Sequence, residues 1–187
     1  MRLPADAELT TWGEFGPVLK TVLGDSFKGS VVWNRWETGE AGALLAVFRF
    51  SVPKPASHYL VDFCCYQKSK EDPGLYTFHD MPAYHGELHV DPATGAIYRI
   101  TLQAELTDAD PVMISSMAVL YGRVNIGGKD YICPVRGIAI SEVHNLVMEL
   151  IDGVGPEKHI NEVRFSDYHK FASTARILTD SPDAEQQ

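Results

Sequence analysis

The stretch that decides the fold class is Tyr84-His85-Gly86-Glu87-Leu88-His89-Val90-Asp91-Pro92-Ala93-Thr94-Gly95-Ala96-Ile97-Tyr98-Arg99-Ile100-Thr101-Leu102-Gln103-Ala104-Glu105-Leu106. Tyr84, Gly86, Leu88 and Val90 alternate with His85, Glu87, His89 and Asp91 in its first arm. Ala96, Tyr98, Ile100, Leu102, Ala104 and Leu106 alternate with mostly polar residues in its second. A period of two places one set on one face of a strand. Asp91-Pro92-Ala93-Thr94-Gly95 between the arms is turn chemistry, so the stretch predicts a long hairpin with one apolar face. A five-residue connection would set Val90 opposite Ala96, Leu88 opposite Tyr98, and Glu87 opposite Arg99 as a cross-strand ion pair.

The same period extends outward in both directions. Strands are expected over Ser30–Glu37 with Trp33 and Trp36, over Ala43–Val52, and over His58–Tyr66, with Lys68–Pro82 as a polar loop. On the other side they are expected over Met113–Ile126 and Lys129–Glu142, joined by Gly127-Gly128. After an irregular excursion over Val143–Lys158, with a short helix at Leu146–Ile151, a last strand covers Ile160–Phe171. A bulge is expected between Phe165 and Tyr168, where the alternation breaks. The period is helical only near the start: Phe15, Val18, Leu19, Val22 and Leu23 follow i, i+3, i+4 spacing. This predicts a helix over Gly13–Gly24, with Thr11 and Glu14 as a capping box and Gly24 at its C′ end.

The fold class is therefore mainly β (α+β): a curved antiparallel meander sheet, or half-barrel, with one main helix packed against it. Residues 1–11 read as an N-terminal extension, 12–178 as a single domain, and 179–187 as a disordered tail.

Composition removes several function classes. The net charge of −9 disfavours a nucleic-acid partner and an anionic membrane surface. There is no apolar run of ~18 residues to span a bilayer as a helix. Cys64, Cys65 and Cys133 are too few for a disulfide scaffold and lack a metal-knuckle spacing. Adjacent strand residues face opposite ways, so Cys65 is expected in the core with Tyr59, Val61 and Phe63, and Cys64 outside. Inert thiols and one structural disulfide are both open; a disulfide is expected to use Cys133.

His85, Glu87, His89 and Asp91 form a polar comb. His85 and His89 stand ~13 Å apart along a strand, too far to share one zinc, so a solvated face is the expectation. His79-Asp80 and Asp167-Tyr168-His169 lack any nucleophile turn, and Gly13-x-x-Gly16 and Gly127-Gly128 are not phosphate loops. No catalytic residue, metal or cofactor is expected. The aromatic positions are either core or the lining of an apolar cavity. The candidate lining is Phe48, Phe50, Tyr59, Phe63, Tyr84, Leu88, Tyr98 and Leu102.

Four runs carry a family resemblance: Trp12–Gly16, Tyr84–Ile100, Tyr121–Pro134 and Phe165–Phe171. They resemble uncharacterised exported bacterial proteins, themselves distantly similar to outer-membrane lipoprotein-sorting carriers and periplasmic sigma-factor regulators. The resemblance implies a half-barrel that holds acyl chains on its concave face, in the periplasm or outside the cell. Members carry a signal peptide and further sequence ahead of the Gly-Glu-Phe-Gly segment, so this chain resembles their C-terminal part. Met1 to Asp6 has no signal-peptide character, which read literally gives a cytoplasmic protein. The expected function is non-enzymatic binding of an apolar or lipid-like ligand in the envelope. The alternative is a protein-interaction or structural module with a solid core and an envelope protein as partner.

Overall fold

A computed structural model describes residues 15–39, 42–69, 71–72, 74–144 and 155–169. The helix α1 covers Phe15–Ser26, followed by β1 (Ser30–Thr38) and β2 (Leu44–Val52). A short hairpin comes next, β3 (Val61–Tyr66) and β4 (Tyr76–Asp80). Then come β5 (Tyr84–Val90), β6 (Ile97–Ala104), β7 (Val112–Ile126), β8 (Lys129–Val143) and β9 (Glu157–Arg164). Seven strands form one antiparallel sheet in the order β1-β2-β5-β6-β7-β8-β9, and β3-β4 form a separate two-stranded sheet. The chain thus runs as a meander, interrupted once by a hairpin that steps out of the sheet.

The sheet curls around its helix. α1 touches both β2 and β8, which three other strands separate. Four strand spacings in a flat sheet span about 19 Å, wider than a helix of about 10 Å, so only a curved sheet meets it at both strands. Val18, Leu19, Val22 and Leu23 of α1 pack against Phe50, Val52, Tyr84, Leu88, Ile100, Leu102, Val119 and Tyr121. These side chains define the helix face; alternate residues define the outer face. A smaller cluster of Val61, Phe63, Ala104, Val112 and Val143 joins the β3-β4 hairpin to the sheet's end.

Two glycine sites shape the sheet. Gly127 and Gly128 have φ of 60° and 81°, the left-handed pair that a two-residue turn needs between β7 and β8. Gly86 stands opposite Phe50, and a Cβ there would overlap the Thr101 carbonyl oxygen and meet the Phe50 ring at 2.7 Å. The Glu87 amide beside it donates to the Thr101 hydroxyl at 3.0 Å. Close approach of two backbones at a strand glycine marks a bend.

Several expectations need correction. The helix runs to Ser26, so Gly24 lies inside its last turn and not at C′. It ends where Lys28 and Gly29 donate to the carbonyls of Asp25 and Ser26, while the Ser26 hydroxyl bonds the Val22 carbonyl. The stretch read as a polar loop contains β4, whose Tyr76 and Phe78 stand opposite Tyr66 and Phe63. β3 begins at Val61, three residues later than expected, because Ser57–Leu60 follow a 3-10 turn. β9 begins at Glu157 and ends at Arg164, so Phe165–Tyr168 is a departure from the sheet, not a bulge within it. The capping pair Thr11-Glu14, the helix at Leu146–Ile151, Phe171, the extension 1–11 and the tail 179–187 lie outside the described residues.

The central hairpin keeps the expected faces from Tyr84 to His89 and from Arg99 to Ala104, but not the expected register, and Ile97, expected on the polar face, packs with Val90 against the core. Leu88 pairs with Ile100, His89 with Arg99, and Val90 with Ile97, leaving Tyr98 as the extra residue of a bulge. The Asp91 amide donates to the Ala96 carbonyl at 2.9 Å, closing a connection one residue tighter than expected. The bulge restores the apolar alternation that this tighter turn would otherwise invert. Glu87 therefore does not oppose Arg99.

Candidate functional site

Most of the eight residues expected to line an apolar cavity are packed core or pack against it. Phe50 and Tyr84 are 0% exposed and, with Leu88 and Leu102, close on Val22 of the helix. The Phe50 and Tyr84 rings meet edge to face at 6.0 Å, and Tyr59 packs on Tyr84 at 5.7 Å. Phe48 packs against the same cluster, whereas Phe63 belongs to the second one. Tyr98 is half-buried at the bulge, its hydroxyl accepting from Arg123 Nε at 3.4 Å.

The outer face carries an open depression of about 320 Å³. Register explains its lining. Arg49 opposes Glu87, His85 opposes Gln103, Thr101 opposes Ala118, and Gln103 opposes Ser116. Ala118 and Ser116 in turn oppose Ile138 and Ile140. A polar rim from β2, β5 and β6 therefore meets an apolar floor of Ala118, Ile138 and Ile140 from β7 and β8. Ile140 stands opposite Ile160, 65% exposed, which extends the apolar strip to the edge strand β9.

The acids of the rim are engaged. Arg35 reaches both Glu87 oxygens at 2.7 and 3.0 Å, and Asn34 adds a bond at 3.0 Å. The Arg35 hydrogen bonds hold the Glu87 carboxyl below the usual carboxylate range, against the push of burial. His85 Nδ1 meets Glu105 at 3.2 Å. Arg49 forms no ion pair with any described residue.

His89 corrects the solvated-comb expectation. It is 1% exposed, opposite the fully buried Val47, and its Nε2 has no hydrogen-bond partner among the described residues. Glu37 and Glu87 each stand 3.5 Å from one ring nitrogen. Burial pushes its pKa down, Glu37 and Glu87 pull it up, and Arg99 and Arg35 push it further down; the net shift is downward.

A second polar cluster ties the helix to the sheet. The Asp25 carboxylate, on the last turn of α1, accepts from the Tyr84 hydroxyl at 2.8 Å, the His58 amide at 2.8 Å and the His58 ring at 2.6 Å. Burial raises its pKa, but the His58 and Tyr84 hydrogen bonds outweigh that and leave it below the ordinary value. The remaining histidine pieces do not assemble into acid–base machinery. His79 pairs with Asp62 at 2.6 Å, while Asp80 takes Lys54 at 2.8 Å. The Tyr168 hydroxyl donates to the Pro134 carbonyl, and His169 is exposed. Among the described residues no group of three His, Cys, Asp or Glu is placed to hold a metal.

The cysteines pair differently from the expectation. Cys64 and Cys65 are bonded to each other and Cys133 is free. The β3-β4 register shifts between Cys64 and Tyr66, so Cys65 sits at an irregularity and both cysteines are exposed. Another apolar feature was not singled out from sequence: Trp33 and Trp36 on edge strand β1 are 57% and 52% exposed. They oppose Phe48 and Ala46, on the helix face, because a register shift between Trp33 and Arg35 brings Trp36 to that side.

A second depression, of about 580 Å³, lies where Tyr66, Lys68 and Phe78 of the β3-β4 region meet Asp108, Asp110 and His144. Its charged walls of both signs define no single ligand chemistry. Comparison with protein-family models, curated proteins and solved structures found no match to this chain.

Proposed function

We propose that this domain is a non-enzymatic binding module for an apolar or lipid-like ligand, seated in the outer-face depression. The observation that carries the reading is the row Ala118, Ile138 and Ile140, open to solvent beneath a polar rim. A volume of about 320 Å³ lies at the small end of ligand pockets, ~300–1,000 Å³, and suits a single acyl chain better than a diacyl lipid. The chain acts by area burial, at ~25 cal/mol per Å² of apolar surface. The cell envelope is the proposed compartment, and the Cys64–Cys65 disulfide supports it, since disulfides persist in oxidising surroundings. Three free thiols in denatured, unreduced protein isolated from its native compartment would remove that support.

The test is displacement of a fluorescent fatty-acid analogue. Wild-type protein binds it saturably, and Ile138→Glu weakens binding at least about tenfold by placing a charge on the apolar floor. Unchanged affinity in Ile138→Glu sinks the assignment. Leu102 is unsuitable for this purpose because it is core, and a charge there unfolds the sheet.

The exposed Trp33 and Trp36 favour a second reading, a protein-interaction module. The partner would present an extended apolar segment to edge strand β1, adding a strand to the sheet. Peptides with alternating apolar residues would then quench tryptophan emission, and Trp33→Ser with Trp36→Ser would abolish their binding. If no such peptide binds, this second reading is wrong.

A further inference from the structure

Arg49 and Glu87 are directly opposed across β2 and β5, yet they do not pair. The two Glu87 oxygens are turned toward β1, where Arg35 and Asn34 hold them. Arg49 is left on the rim of the depression as a guanidinium with no ion pair to any described residue. The groups around it lean toward donation. The Thr101 hydroxyl already accepts the Glu87 amide, which leaves its own proton to give. Ser116 and Gln103 add a hydroxyl and an amide on the same rim. Glu87 is the rim's one carboxylate, and its oxygens are engaged by Arg35, which also pairs with Glu37. A rim of donors with one unpaired guanidinium asks for an acceptor-only, planar anion, and a carboxylate matches the guanidinium fork with two parallel bonds.

The apolar floor begins next to this rim and continues from Ala118 and Ile138 to Ile140 and the exposed Ile160. From β2 to β9 is five strand spacings, about 24 Å in a flat sheet. A bilayer's hydrocarbon core of about 30 Å holds two chains end to end, so one acyl chain spans about 15 Å. β7 lies three strand spacings from β2, about 14 Å, so a chain anchored at Arg49 crosses β5 and β6 and reaches the Ala118–Ile138 end of the floor.

We propose that the ligand is a carboxylate-bearing single acyl chain, a free fatty acid, with Arg49 holding the carboxylate and the Ala118–Ile138 end of the floor receiving the chain. This rests on the binding reading above and names its ligand class. A membrane surface is a poor alternative source of the same chemistry, since the chain's charge of −9 repels an anionic bilayer.

The experiment compares myristate with myristyl alcohol as competitors for a neutral, apolar fluorescent probe, using the full chain below their micellar range. Wild-type protein should prefer the acid about tenfold, the value of one charge-assisted pair. Arg49→Gln should remove the preference by weakening acid binding far more than alcohol binding, while Arg49→Lys should retain part of it. Matching urea midpoints confirm that the exposed Arg49 substitutions leave the fold intact. Equal affinity for acid and alcohol in wild type, or an undiminished preference in Arg49→Gln, overturns the carboxylate assignment while the binding module stands. Failure of both competitors and the probe to bind overturns the module itself.

Discussion

A neutral imidazole at position 89 is the form this fold selects. Burial disfavours the charged ring and, with Arg99 and Arg35 acting the same way, outweighs the pull of Glu37 and Glu87. Its folded pKa therefore lies below the ordinary value of 6.5. As pH falls, the unfolded chain takes up a proton first, so the contribution of His89 is complete above 6.5 and declines below it until the folded pKa is passed. Urea midpoints measured from about pH 7 to about pH 5 should fall more steeply in wild type than in His89→Gln. Parallel profiles would show that His89 does not titrate this way. Alternation alone placed His89 outside, and outside it is; what the pattern did not convey is that this face buries Val47 and Leu45 as well. A period of two tells which residues share a face, not how deeply that face is covered.

Elements were legible where turn chemistry and alternation agreed. The β7-β8 pair is the clearest case, because Gly127-Gly128 admits a two-residue turn and its ends fall within a residue of expectation. The β5-β6 register was not legible, for a physical reason. Moving Leu88 from Tyr98 to Ile100 is a shift of two, which preserves the faces away from the turn; only beside the turn, where Val90 moves from Ala96 to Ile97, does a shift of one bring Ile97 to the helix face. Only the turn hydrogen bond and the bulge at Tyr98 distinguish the two registers, and neither has an apolar signature. The strand β4 was lost for a different reason: Tyr76 and Phe78 do alternate, but Pro73-Gly74 and charged neighbours masked a run of five residues. Gly86 gives the element scale its test. With no room for a Cβ against the Thr101 carbonyl or the Phe50 ring, Gly86→Ala should destabilise by about 1–3 kcal/mol or more in urea unfolding. A midpoint equal to wild type would mean that the bend at this glycine is dispensable.

At the scale of the whole molecule, the helix is held by one buried carboxylate as well as by its apolar stripe. Asp25 collects a hydrogen bond from β5 and two from the segment after β2, so it fixes α1 against the sheet and against the segment leaving it at once. Its depressed pKa means that its contribution is present above 3.8 and is lost as pH falls through the lower folded value. Asp25→Asn should cost about 1.5–3 kcal/mol near neutral pH, the range for hydrogen bonds to a charged group, and Tyr84→Phe should cost less. The variant should also lose less stability than wild type on acidification; an equal acid loss would remove Asp25 from the account. Among the described residues, the two border strands of the sheet are chemically unlike. β1 offers Val31, Val32, Trp33 and Trp36, whereas on β9 Lys158, Glu162 and Arg164 flank Ile160. Propagation of copies into a fibre would need each charged border to close on the next molecule's tryptophans, stripping water from those charges. On the interaction reading proposed above, growth would therefore be self-limiting: a partner added at β1 would meet no second border of the same kind.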